Sequence, residues 1–175
     1  GYRGRPSGRG AGRVQQPRQV PPSVAFIGKE AGLGSQFVYD ITCGGEASEQ
    51  FANTSVEIER YSSIKFKNGA DVERSLADGV LFVIPEPVPL RTGEPPTISD
   101  EEMVKWKMKL GRAEVRRELL DTNMASAYAL VTGQCSDNML EKVRAQQGYA
   151  AAHAARDPIA LTALISTVTY NYDSK

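Results

Sequence analysis

The 175-residue sequence is short of the side chains on which most chemistry depends: it holds one histidine, two cysteines and one tryptophan. Cys43 and Cys135 form no Cys-x-x-Cys pair, which excludes a zinc motif or a disulfide framework and leaves two free thiols, buried or half-buried. A nucleophile with its base would have to be Cys135 with His153, and nothing in the sequence orients one toward the other. A lone histidine in an alanine-rich stretch reads as a surface or filler residue. Gly28-Lys29 is not followed by serine or threonine, and no Gly-x-Gly-x-x-Gly pattern occurs, so a phosphate cradle is excluded. Asp100, Glu101 and Glu102 are neighbours on a helix and point in different directions, so they read as a cap and not as a catalytic carboxylate pair. An enzyme is not expected, nor a cofactor, a metal or a small-molecule substrate. No apolar run approaches the ~18 residues that span a bilayer. The opening also lacks the apolar segment of a secretory signal. The expectation is an intracellular, cytoplasmic protein with no membrane partner, in which the sequon Asn53-Thr54-Ser55 stays unglycosylated. Because the chain opens on Gly1 and not on methionine, it is read as a possible piece of a longer product.

What is present is unevenly distributed. The net charge of zero conceals a basic start, in which residues 1–19 carry Arg3, Arg5, Arg9, Arg13 and Arg18 and no acid, and an acidic remainder of 16 basic against 21 acidic residues. Residues 1–22 are glycine, arginine, proline and glutamine with little to bury, so a disordered arm is expected. Its Arg-Gly steps have the composition of segments that track nucleic-acid backbones, and five arginines can neutralise about five phosphates. These arginines are the nucleic-acid-binding candidates.

Residues 23–84 read as a helical front half. Phe26-Ile27-Gly28 is an apolar anchor, Gly32-Leu33-Gly34 a turn, and Phe37 to Ile41 an extended or short helical piece. A helix from 46 to about 66 presents Phe51, Ser55, Ile58, Tyr61 and Ser62 on one face and keeps Glu46, Glu49, Glu57 and Glu59 in solvent. A shorter helix follows, with Asp71 as its cap, Val72 and Leu76 inward and Gly79 past its end. Val80 to Ile84 has no partner run, so it is expected to lie extended over helices. Pro85, Pro87, Pro89, Pro95 and Pro96 make residues 85–98 a stiff connector.

Residues 99–175 form the other half, dominated by one long helix. Ser99 with Glu102 is a capping box, and Met103, Trp106, Leu110, Ala113, a polar slot at Arg117, Leu120, Met124, Ala127 and Val131 recur at three-four spacing. Such a helix is about 50 Å long at ~1.5 Å per residue. Its stripe must be covered, by this chain or by another subunit: Met103, Trp106, Leu110, Leu120, Met124 and Val131 are the candidates for packing or subunit contact. Lys105, Lys107, Lys109, Arg112, Glu114, Arg116 and Glu118 keep the other faces wet. Gly133 stops the helix, Ser136 with Asp137 caps a second one, and Asp157-Pro158 opens a last helix bearing Ile159, Leu161, Leu164, Ile165, Val168 and Tyr172. The fold class expected is all-α, a multi-helix bundle of one core's worth of residues, with a disordered arm and a proline-rich connector.

Several short strings in one order resemble the Gag-like protein of copia-type retrotransposons. They are Phe26-Ile27-Gly28, Val38-Tyr39-Asp40, Gln50-Phe51 with Thr54, Ile58 and Tyr61, Gly69-Ala70-Asp71-Val72, Ala127 through Gly133-Gln134-Cys135-Ser136-Asp137, and Asp157-Pro158-Ile159-Ala160-Leu161 through Tyr172 to Lys175. Thr132 stands where that family commonly has tryptophan. The resemblance implies a capsid-like helical structural protein that self-assembles, as a homo-oligomer, around RNA. It also implies a zinc knuckle after the helical part. None is present here, so it lies beyond Lys175 or is missing, and the arginine arm is the visible RNA-binding element. The alternative is a cellular RNA-binding or scaffold protein, a co-opted copy that assembles no particle.

Overall fold

In a computed structural model of the chain, Gly1, residues 25–41 and residues 44–174 are described. The arm with Arg3, Arg5, Arg9, Arg13 and Arg18, and Cys43, lie outside the described residues.

After a 3-10 turn at Gly44–Glu46, α1 runs Ala47–Lys65, α2 Gly69–Asp78, α3 Asp100–Gly133, α4 Asp137–Arg144, α5 Tyr149–Ala155 and α6 Pro158–Asp173. Three of the helices, α3, α4 and α6, start where a local side chain satisfies their free amides. Ser99 Oγ accepts from the Glu102 amide at 3.2 Å, Ser136 Oγ from Met139 at 3.2 Å, and Asp157 Oδ1 from Ile159 at 2.9 Å and Ala160 at 3.2 Å, as the cap residues led one to expect. The first turn of α1 has no cap of its own. It takes one from the far end of the chain, where Asp173 Oδ2 accepts from the Ser48 amide at 2.9 Å and from the Ser48 hydroxyl. Among the described residues no strand forms, and only two isolated bridges occur, Tyr39 with Cys135 and Thr92 with Thr97. The fold is helical.

Two apolar clusters make the core, and α3 runs through both. One gathers Leu33, Tyr39 and Ile58 from before the connector with Tyr128, Val131, Cys135, Met139, Leu140, Val143, Leu161, Ile165 and Val168 from after it. The other joins Val72 and Ile84 to Ala113, Leu120, Met124 and Ala127. Leu161 and Ile165 lose all exposure, and each such burial is worth about 1.5–3 kcal/mol. The segment after α2 is extended, with Ile84 buried and Phe82 half-buried, while Val80, Leu81 and Val83 face out. The connector is tied down where the Trp106 indole donates to the Pro87 carbonyl at 2.9 Å.

Four expectations need correction. Glu57 and Glu59 of α1, expected in solvent, are half-buried. Asp71 does not cap α2. The chain enters through Asn68 in the left-handed conformation, φ 54°, so the helix begins at Gly69 and carries Asp71 in its first turn, buried. There it meets Arg116 of α3, which had been assigned to a wet face. Ile27 is no anchor, being 63% exposed, because the extended backbone turns alternate side chains outward and gives the inner positions to Phe26 and Gly28.

Candidate functional site

The densest polar arrangement in the body is a clamp between the front segment, residues 28–40, and the end of α3. Gln134 follows the helix stop, and its side chain is fully buried. The Gln134 Oε1 accepts from the Glu30 amide at 3.1 Å, and Nε2 donates to the Phe37 carbonyl at 2.7 Å. The backbone repeats the join. Lys29 donates to Gly133 at 3.1 Å, Tyr39 to Gln134 at 2.7 Å and Ser136 to Tyr39 at 3.0 Å, which makes the Tyr39–Cys135 bridge. A Cβ on Gly28 would run into the Gln134 side-chain amide. That amide is held by two bonds and cannot step aside, so the position requires glycine. Ser136 Oγ donates to Asp40 Oδ1 at 3.0 Å, Thr54 Oγ1 to the Val38 carbonyl at 3.0 Å, and the Tyr61 hydroxyl to Glu30 Oε1 at 2.9 Å. The front segment is thereby fixed to α1 and to the α3–α4 corner at once.

The titratable groups around this clamp are built for holding. Burial pushes the Cys135 thiol up to about 12, and its sulfur donates to the Val131 carbonyl at 3.3 Å. Burial raises the Tyr39 phenol as well, while its hydroxyl lies 2.9 Å from Ser55 Oγ. The structure does not bring Cys135 to His153. The imidazole Nδ1 faces the Tyr128 hydroxyl at 3.0 Å, and its ring stacks on Tyr149 at 5.6 Å between centroids. Burial, with the Glu73 carboxylate behind it, raises Glu59 above its ordinary value of 4.5. Glu59 lies at the mouth of a cleft of about 240 Å³ between α1, α2 and α6. Among the described residues the ion pair with the most buried carboxylate is Arg116 with Asp71, a two-pronged contact at 2.7 and 2.6 Å. Among the described residues no group of three or more His, Cys, Asp or Glu could hold a metal ion, and no helix is long and apolar enough to cross a membrane.

The candidates on α3 divide by position. Leu120, Met124 and Val131 are buried within the chain, whereas Met103, Trp106 and Leu110 are half-buried. The sequence reading passed over Gln134, Arg116 and a second apolar set on α3, Val104, Met108 and Val115, which are 59, 55 and 63% exposed. Their 4 and 7 spacing was visible, but the intervening lysines masked it. No family model matches the chain, nor does any curated protein or any solved structure.

Proposed function

We propose that this chain is a Gag-like structural protein of a copia-type retrotransposon, a capsid-like helical body that self-assembles and packages RNA through the basic arm. The observation that carries this reading is the meeting of the resembling strings. Gly28 and Val38-Tyr39-Asp40 from the front, and Gly133 through Ser136 from about a hundred residues later, are the partners of the clamp. Strings held in common because they join the fold belong to a framework protein. A catalytic family would be expected to keep its strings around a reactive group, and here the thiol in the middle of the join is buried and its pKa is pushed up by that burial. Arg3, Arg5, Arg9, Arg13 and Arg18 would neutralise phosphate without reading sequence, so retention of RNA should fall as salt rises, with a slope near 0.7 per phosphate on single strands.

Electron microscopy of the purified chain with and without RNA tests assembly, and RNA retention by a chain lacking residues 1–22 tests the arm. Regular particles that need RNA support the reading. A monomer that persists at high concentration and still binds RNA selects the cellular scaffold instead, and retention untouched by loss of the arm overturns the packaging role given to it.

A further inference from the structure

The first half of α3 is apolar on two opposite sides, and among the described residues only one of them is covered. At 100° per residue, Val104, Met108, Gly111 and Val115 fall within about 60° of arc, and Trp106, Ala113 and Leu120 lie on the far side. The far side is fastened: Trp106 holds the Pro87 carbonyl, and Ala113 and Leu120 are 7% and 5% exposed. Arg116 is bound to Asp71, so the helix cannot roll to bury its outer stripe. Gly111 adds a separate observation. A glycine inside a helix costs about 1 kcal/mol against alanine. A Cβ here would meet nothing within 4 Å, so no contact among the described residues calls for the glycine.

We propose that this outer stripe is a two-fold contact between copies of the chain, α3 lying antiparallel to α3, with Val104 stacked on Val115 of the second copy and Met108 seated over its Gly111. The spacing of 4, 3 and 4 residues is that of a coiled-coil seam, in which a long knob over a missing side chain lets two helices approach closely. The register also matches charge. On one edge of the stripe it sets Lys107 level with Glu114 of the second copy, and the two-fold axis repeats the pair. Lys107 has no ion pair among the described residues of its own chain, and Glu114 reaches only Arg117, at 3.1 Å. On the other edge Lys105 comes level with Arg112, but Lys105 is already neutralised by Glu101 at 2.7 Å.

This names the partner surface for the self-association proposed above and rests on that part of it alone. Sedimentation equilibrium of the full chain without RNA should show a dimer at about 100 μM, a hundredfold above a micromolar dissociation constant. Lys107→Glu should weaken it about tenfold, and adding Glu114→Lys should restore it to within about threefold, as a charge swap across an interface does. Gly111→Ala should raise the melting temperature while weakening the dimer. Val115→Glu should leave a monomer with unchanged helix content, since that side chain is already in water. A wild-type monomer at 100 μM overturns the contact and leaves the stripe to a different kind of partner, and a double swap no better than the single one overturns the register. A dimer that forms here without RNA-dependent particles would sink the packaging reading and leave this contact standing.

Discussion

The two halves of α3 follow the same three-four spacing and end in different surroundings. In the second half Leu120, Met124, Ala127, Tyr128 and Val131 are buried, with α6 lying across them. In the first half Met103, Trp106 and Leu110 reach only half-burial, Trp106 with its indole bonded to the connector, while Val104, Met108 and Val115 stay in water on the other side. Periodicity therefore says which side chains share a face, and the rest of the chain decides which face is covered. The first half of this 34-residue helix thus keeps an apolar stripe exposed among the described residues.

This contrast can be broken at measurable points. Leu120→Ala in the buried half should lower stability by about 3 kcal/mol, in denaturant unfolding, because the cavity sits among packed side chains. Arg116→Ala should cost about 2–3 kcal/mol, since it strands the Asp71 carboxylate, 5% exposed, without the one side-chain partner it has among the described residues. Trp106→Phe removes the bond to Pro87 but keeps the ring, and should cost about 1 kcal/mol while protease cleavage within residues 85–98 speeds up. Glu59→Gln should act through pH. A raised carboxyl favours the folded state when protonated, a contribution complete below the ordinary 4.5 and lost as pH climbs through the raised value. The variant should melt higher than the parent in neutral solution and equal it in acid well below that value. Met108→Ser in the exposed half should change monomer stability by no more than about 0.5 kcal/mol. A cost near that of Leu120→Ala would mean that the outer stripe is core after all.

What the sequence disclosed is what is decided within one turn of backbone. Ser99, Ser136 and Asp157 could be read as caps because a side-chain oxygen needs only the amides two or three positions ahead, and the buried faces of α1 and α6 followed from spacing in part, with Glu57 and Glu59 half-buried and Tyr172 exposed against it. Asp71 misled for the same reason: an acid near a helix start reads as a cap, and its true partner, Arg116, lies 45 positions away. Gln134 gave no local signal at all, since an amide in a corner matters only through carbonyls and amides that a distant segment brings to it. Nor could spacing separate the two stripes of α3, because which one faces inward depends on where α2, α6 and the connector come to rest.

The clamp has a consequence for how the protein is made. Glu30 precedes the glutamine it binds by 104 positions, so during translation the front segment waits about 5–20 s for its partner, at ~5–20 residues per second. Until the ribosome has delivered that corner, α1 holds Val38 and Tyr39 through Thr54 and Ser55, the Tyr39 amide and carbonyl stay without their helix-end partners, and a neighbouring nascent chain on the same message offers them the same seat.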